Sequence, residues 1–268
     1  SYSSSVRHET LDDQAGPFEI RRTDSRLYSC VFHIFRTVSF RFDFLFHLLE
    51  FLGGFMDRVV IIGSGAAGLS AAIRLAEENV PSFIVEEMPP WRAQSNMAEG
   101  GINAALDTMG QHDEPALHEE ETYKAGRFLA CREAVHRLTH SAPKIVNTLF
   151  AWGMSLNLNE DGTIQQRPFG GQTKKRTAFA SASTGKQLMY TLATRARFFE
   201  AGRMIRHITG FRFLKLMMEN GQAKGVLVNE LQKNRVSYIP ASAVIIASGG
   251  LNGLFGNATG SALHTGNV

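Results

Sequence analysis

The stretch 57–88 constrains the fold of this chain most strongly, because it combines a short apolar run, three spaced glycines and a helical pattern. Val59–Ile62 is a β-branched run bounded by glycine, which is typical of a strand buried on both faces. It leads into GSGAAG, where Gly63, Gly65 and Gly68 form the pattern GxGxxG. The next apolar residues recur at helical spacing. The stretch therefore predicts a strand, a tight turn and a helix in succession.

Each part of this motif has a mechanical role in dinucleotide binding. The first glycine permits the tight turn, the second lets a pyrophosphate approach the backbone at the helix N-terminus, and the third lets helix and strand pack closely. A second apolar run ends in two glutamates, the first of them 18 residues after Gly68, where a carboxylate can accept ribose hydroxyls. Glu86 is the preferred ribose ligand because it comes first after the strand, and Glu87 is the alternative. The residues that this motif predicts to hold a dinucleotide are Gly63, Ser64, Gly65, Ala66, Ala67, Gly68, Glu86 and Glu87.

The motif alone does not distinguish NAD from FAD, and a glycine-rich turn without a ligand is a further alternative. An NAD domain would continue with another strand–helix unit, whereas this chain continues with a loop that holds the first of three glycine pairs. These pairs are Gly100–Gly101, Gly170–Gly171 and Gly249–Gly250. Glycine lets the backbone approach a planar ligand without an intervening Cβ, although a single glycine pair more simply serves a turn.

The remaining patterns predict a mixed helix and strand organisation. An amphipathic helix over 131–153 is expected to stop at Gly153. Apolar strands are expected around 211–217 and 225–230. The run 243–247 is typical of a buried strand, and it enters the third glycine pair.

The ordered motifs GSGAAG, AEGGINAAL, RPFGGQ and VIIASGGLNG resemble the flavoprotein subunit of fumarate reductases and succinate dehydrogenases. They are similar, more loosely, to L-aspartate oxidase and the soluble flavin fumarate reductases. The resemblance covers residues 56–268. It implies an α/β fold, namely a Rossmann-like FAD-binding domain with a GxGxxG βαβ unit and additional strands, truncated before the capping domain.

The resemblance also assigns positions along FAD. It implies that the flavin side is lined by Ser95, Gly100 and Gly101, and that Ala247, Ser248, Gly249 and Gly250 lie by the dinucleotide. It further implies that Phe169 and Gly170 face the substrate end.

Gln94 departs from the family pattern. Respiratory members carry at this place a histidine that bonds covalently to FAD, and glutamine has no imidazole nitrogen for that bond. We therefore expect noncovalent FAD, which in this family favours fumarate reduction over succinate oxidation. Glu99 is a second departure, and its carboxylate would lower the flavin potential only if it faced the ring rather than solvent.

The resemblance implies hydride transfer between flavin N5 and a C4 dicarboxylate, with an arginine delivering the proton. The family's catalytic residues come after the third glycine pair, so we expect them downstream of Val268 and expect the 268-residue chain alone to be inactive on dicarboxylates. Implied partners of the intact enzyme are fumarate or succinate, an iron–sulfur subunit and a membrane anchor. An L-aspartate oxidase and a catalytically incompetent flavin-binding fragment remain alternatives.

Residues 1–55 do not share the family pattern and hold nine of the 19 phenylalanines. Charged residues interrupt their most apolar part, so no span of about 20 apolar residues forms. An interfacial segment, a genuine small extension and translated upstream sequence all remain open. The net charge of +3 is too small to argue for nucleic acid or an anionic membrane, so no nucleic-acid partner is expected. Two distant cysteines favour a reducing compartment, so we expect a cytoplasmic protein, free or peripheral on the inner membrane.

Three other patterns carry less weight. His136 and His140 have the spacing of a metal pair on a helix, but no carboxylate is expected to complete the site, so no metal is predicted. The SxxK match from Ser183 to Lys186 is expected to be a helix start. The basic cluster 174–176 is expected to be a solvated loop that could attract a dicarboxylate.

Overall fold

The computed structural model describes residues 58–258 and 264–266. The extension predicted at 1–55 lies outside these residues. In chain order the helices and strands are β1 (Val59–Ile62), α1 (Ala66–Glu77), β2 (Ser82–Glu86), β3 (Ile102–Asn103), α2 (Pro115–Ala125), α3 (Arg132–Ala151), β4 (Gln166–Arg167), β5 (Thr177–Ala178), α4 (Thr184–Ala201), β6 (Ile205–Thr209), β7 (Phe211–Glu219), β8 (Gln222–Glu230), β9 (Arg235–Pro240) and β10 (Ala243–Ile246).

A four-stranded parallel sheet in the order β10–β1–β2–β6 forms the centre of the domain. Val59 aligns with Ala243 on one side and with Ser82 on the other, and Ser82 aligns with Ile205. Parallel neighbours require crossovers, and α1 supplies the one between β1 and β2. The predicted strand at Val59–Ile62 is confirmed, as is the α/β fold class.

Both faces of this sheet are covered, which explains why β1 and β2 are continuously apolar. On one face Ile61 and Ile84 pack with apolar side chains of α1 and α4. On the other face Val60, Ile62 and Phe83 pack against the antiparallel sheet β7–β8–β9. Alternate side chains of the same strand therefore point into two different apolar cores, one on each side of the sheet.

A third cluster lies outside the central sheet. Helices α2 and α3 pack against each other, and the small antiparallel sheet β3–β5–β4 contributes Ala178 to a core with Ala142 and Val146 of α3. As predicted, the helix stops before Gly153, whose φ of +90° suits glycine, and Met154 N donates to Leu149 O at 3.0 Å.

The prediction of a buried strand at 243–247 is wrong in one respect. The strand exists as β10, but Ala243 is exposed and Ile246 is 58% exposed. Among the described strands, β10 (AVII) lies at the edge of the sheet, whereas β1, with the closely similar sequence VVII, lies inside it. An apolar run of this kind predicts a strand, but it does not distinguish an edge strand from a central one. No helix of the described residues is both long and apolar enough to cross a bilayer.

Candidate functional site

A cleft of about 600 Å³ opens at the carboxyl ends of β1, β2 and β10. Ligands of open parallel sheets bind at this end of the strands, and the volume falls within the about 300–1,000 Å³ of small-molecule sites. The cleft is lined by Gly63, Ser64, Gly65, Glu86, Glu87, Met88, Arg92, Ala93, Gln94, Ser95, Met97, Ala98, Ala247, Ser248, Gly249, Gly250 and His264.

The turn between β1 and α1 forms one wall. Gly63 has a φ of +102°, which suits glycine, and a Cβ on Gly68 would lie 1.9 Å from Gly63 O. Close helix–strand packing therefore requires Gly68. Gly65 differs, because its φ is −68° and a Cβ there would meet nothing of the protein nearer than Ser95 Oγ, at 3.6 Å. The protein's own packing leaves space at Gly65 on the cleft side.

The N-terminus of α1 faces this space. Gly65 is the N-cap and has no side chain with which to cap the first turn. Ala66 N donates to Ser95 Oγ at 3.3 Å. The partial positive charge of a helix N-terminus favours anions. The first-turn residues Ala66, Ala67 and Gly68 do not themselves line the cleft.

The two glutamates after β2 have different environments. Glu86 is 2% exposed, and its Oε1 accepts from Thr209 Oγ1 at 2.6 Å and lies 3.3 Å from His207 Nδ1. Its second oxygen, Oε2, is buried and has no hydrogen-bond partner among the described residues. Glu87 instead pairs both oxygens with Arg212. A buried oxygen without a partner needs an explanation, and a ligand hydroxyl supplies one.

The loop after β2 brings Ser95, one of the three predicted flavin-side residues, to the cleft together with Gln94. Two 3-10 turns, Pro90–Arg92 and Gln94–Met97, fold this loop, and Gln94 and Ser95 both line the cleft. Glu99 lies beyond its lining and is exposed to solvent.

The loop after β10 closes the other side. Ala247 N donates to Ile62 O at 2.8 Å, which continues the sheet register into the loop. Gly249 has a φ of +81°. A Cβ on Gly250 would lie 3.0 Å from His264 Nδ1. Sequence patterns did not indicate His264, nor the cleft residues Met88, Arg92, Ala93, Met97 and Ala98.

Besides Ala66, Ala67 and Gly68, four further predicted residues lie outside the lining of the cleft. Gly100 packs on Phe169, since a Cβ there would lie 3.1 Å from Phe169 Cζ. Gly101 has a φ of +124°, and its Cβ would lie 2.7 Å from Ala178 O of β5. The structure thus requires glycine at 101 for packing against β5. Gly170 and Phe169 are both exposed.

Two expectations about charged residues are wrong. Glu119 of α2 does approach the histidine pair, with its Oε2 2.8 Å from His136 Nδ1. Arg176 is not solvated but fully buried, and its Nη2 lies 2.9 Å from Asp113 Oδ1 and 3.0 Å from Glu121 Oε2. Both errors have one cause: the partners come from a helix or loop more than 15 positions away, which local spacing does not reveal. The expected helix start near Ser183 is confirmed, because α4 begins at the next residue.

A strand–glycine turn–helix unit, an acidic strand end and a glycine loop that meet at one cleft define a dinucleotide-binding α/β domain. Residues 58–268 match the FAD binding domain family, so the chain belongs to this family.

Several of the similar proteins are flavoprotein subunits. The succinate dehydrogenase flavoprotein subunit of Bacillus subtilis is 33% identical, over 78% of this chain and 36% of its own length. The fumarate reductase flavoprotein subunit of Mycobacterium tuberculosis is 35% identical, over 78% and 35%. A solved structure of E. coli quinol fumarate reductase matches with a TM-score of 0.70 and 28% identity, over 75% of this chain and 34% of that one. This chain spans about a third of the length of the curated relatives it matches.

Proposed function

We propose that the cleft holds FAD through three features of this chain. The carboxylate of Glu86 accepts a ribose hydroxyl at Oε2, the α1 N-terminus faces the pyrophosphate, and Ser95 lies on the flavin side. The unpartnered Oε2 of Glu86 carries the proposal, because a buried carboxylate oxygen without a donor is costly unless a ligand satisfies it. The open space at Gly65 supports it independently. The residues that line the cleft therefore fit a dinucleotide.

Other predicted residues complete the proposed contacts. Ala247, Ser248, Gly249 and Gly250 lie beside the dinucleotide, and all four line the cleft. Gly100 and Gly101 reach the flavin through their backbone, although they do not line the cleft. The contact between Gly100 and Phe169 supports a common location for the flavin-side and substrate-side residues.

The FAD is held noncovalently in this proposal. Gln94 lines the cleft at the place where the respiratory family has its linking histidine, and an amide cannot form that bond. Precipitation of the FAD-loaded chain in acid should leave all flavin absorbance in the supernatant. Flavin that remained with the polypeptide would contradict noncovalent binding and would direct attention to His264, the imidazole at the edge of the cleft.

For the whole protein we propose the interconversion of fumarate and succinate, with fumarate reduction as the favoured direction. When bound, FAD supplies hydride transfer at flavin N5, and Phe169 and Gly170 face the substrate end. The proposal rests on relatives that are named succinate dehydrogenase and fumarate reductase flavoprotein subunits. An iron–sulfur subunit and a membrane anchor are the proposed partners, and the cytoplasmic face of the inner membrane is the proposed location.

The matched pair Glu86→Gln and Glu87→Gln tests the cofactor site. FAD binding to the full chain is followed by quenching of flavin fluorescence. Glu86→Gln should weaken binding about tenfold to a hundredfold, because a charge-assisted hydrogen bond is worth about 1.5–3 kcal/mol. Glu87→Gln should change it less than about threefold, since that carboxylate pairs with Arg212 at a partly exposed position where pairs are worth about 0–1 kcal/mol. Equal effects of the two substitutions would contradict the assignment.

A second assay tests the reaction. The full chain, loaded with FAD, is supplied with fumarate and a reduced viologen dye. We expect no turnover, because the chain spans only about a third of the length of its relatives. A longer protein that carries this chain and matches the relatives over their full length should oxidise the dye with fumarate. Failure of that longer protein would contradict the reaction while leaving the FAD site intact.

A further inference from the structure

A cluster of two imidazoles and one carboxylate lies between α2 and α3, two helices that do not line the FAD cleft. Glu119 belongs to α2, and His136 and His140 belong to α3. His136 Nδ1 lies 2.8 Å from Glu119 Oε2, and His140 Nδ1 lies 3.7 Å from the same oxygen. One ligand atom from each residue falls within 4.8 Å of the others.

We propose that Glu119, His136 and His140 bind a divalent transition-metal ion, with Zn²⁺ as the best fit. Two histidines four residues apart on a helix present their nitrogens on the same side, which is the spacing of helical zinc ligands. A set of two histidines and one carboxylate is a known zinc donor set. Magnesium is disfavoured, because it prefers oxygen ligands.

The distances suit such an ion. Two ligands about 2.0–2.1 Å from a tetrahedral zinc lie about 3.3 Å apart. The 2.8 Å between His136 Nδ1 and Glu119 Oε2 must therefore widen by roughly half an ångström. Both histidines are exposed, so their side chains can make this adjustment. The ion would replace the direct hydrogen bond between imidazole and carboxylate.

A backbone carbonyl already orients the second histidine. His140 Nδ1 lies 3.0 Å from the carbonyl oxygen of His136. Histidines that bind metals usually donate their other ring N–H to a carbonyl or carboxylate, which directs the free nitrogen towards the ion. His140 therefore has its supporting contact in place and can bind through Nε2.

The charges around the cluster leave one carboxylate oxygen available. Arg132 approaches the other oxygen of Glu119, with its Nε 3.7 Å from Oε1. Oε2 thus faces the histidines while Oε1 faces the arginine. An ion at this place would link α2 to α3 and leave a fourth position for water.

The test uses the full chain without an affinity tag and titrates ZnCl₂ in a calorimeter at neutral pH. Wild type should bind one ion, and Glu119→Gln or His136→Ala should weaken binding by at least about tenfold. Glu120→Gln is the matched control: Glu120 is the next residue on α2 and pairs with Lys124 rather than with a histidine. It should bind Zn²⁺ as wild type does. Circular dichroism confirms that each variant folds.

A second readout is thermal unfolding. Zn²⁺ should raise the Tm of wild type and of Glu120→Gln but not of Glu119→Gln, because binding only to the folded state stabilises it. The proposal is overturned if wild type does not bind Zn²⁺, if Glu119→Gln binds it as tightly as wild type, or if MgCl₂ raises the Tm as much as ZnCl₂ does.

Discussion

Thr209 Oγ1 donates to Glu86 Oε1 at 2.6 Å and leaves Glu86 Oε2 as the oxygen without a partner. The two residues lie opposite each other on the neighbouring strands β2 and β6, where Glu86 aligns with Thr209. The hydroxyl and the more distant His207 Nδ1 both engage Oε1, so the other oxygen of the buried carboxylate remains available to a ligand. We interpret Thr209 as a positioning residue for the proposed ribose ligand.

Thr209→Val should weaken FAD binding about fivefold to tenfold, because losing the orienting hydrogen bond costs about 1 kcal/mol. Thr209→Ser retains the hydroxyl and should restore most of the affinity. Fluorescence titration of FAD measures both variants. If the valine and serine variants bound FAD equally, the hydroxyl would have no orienting role.

Gly65 and Gly68 provide a matched pair with opposite expectations. Gly68→Ala should destabilise the fold by about 1–3 kcal/mol or more, since its Cβ would collide with Gly63 O. Gly65→Ala should change the stability of the unliganded chain by less than about 1 kcal/mol, because its Cβ meets only ordinary contacts. It should nevertheless weaken FAD binding, since the methyl group enters the space proposed for the pyrophosphate. Urea unfolding and FAD titration separate the two effects.

Local patterns predicted the part of the site that is contiguous in sequence. The turn from Gly63 to Gly68 and the strand end at Glu86 can be predicted from spacing alone, because strand, turn and helix are consecutive. Thr209 was not predicted, because β6 is amphipathic and short and its place beside β2 depends on a crossover of more than 100 residues. Gln94 and Ser95 were located through family resemblance, not through any periodicity.

The wrong predictions about charged residues concern side chains whose partners lie far away in the sequence. Arg176 lies in a basic run that is typical of a solvated loop, yet it is fully buried. Its guanidinium pairs there with Asp113, from the loop before α2, and with Glu121 of α2. For the same reason the sequence pattern did not predict that Glu119 lies beside His136. Charge patterning along one segment does not report which segment lies against it.

Replacement of Arg176 should destabilise the domain strongly. Arg176→Met leaves Asp113 and Glu121 without their shared counter-charge, and breaking a buried pair costs about 3–5 kcal/mol. Lys175→Met, at the exposed neighbouring position, should change the free energy of unfolding by less than about 0.5 kcal/mol. Urea unfolding at neutral pH measures both. Equal stability of the two variants would show that the buried charges contribute no net stabilisation.

His118 makes stability depend on pH. Burial, aided by the positive charge of Arg176 and opposed by Glu121, lowers the pKa of His118 from 6.5 to about 4. The unfolded chain therefore binds a proton at a pH where the folded chain does not, so stability falls as the pH drops from 6.5 towards 4 and levels off below. At about 1.4 kcal/mol per pKa unit the loss is about 3 kcal/mol. Burial also raises the pKa of Asp113, in the loop just before α2, so the assignment to His118 needs its own measurement. An NMR titration of the His118 ring should give a midpoint near 4, and His118→Gln should flatten the stability profile between pH 6.5 and 4. A ring that titrated near 6.5 would contradict both expectations.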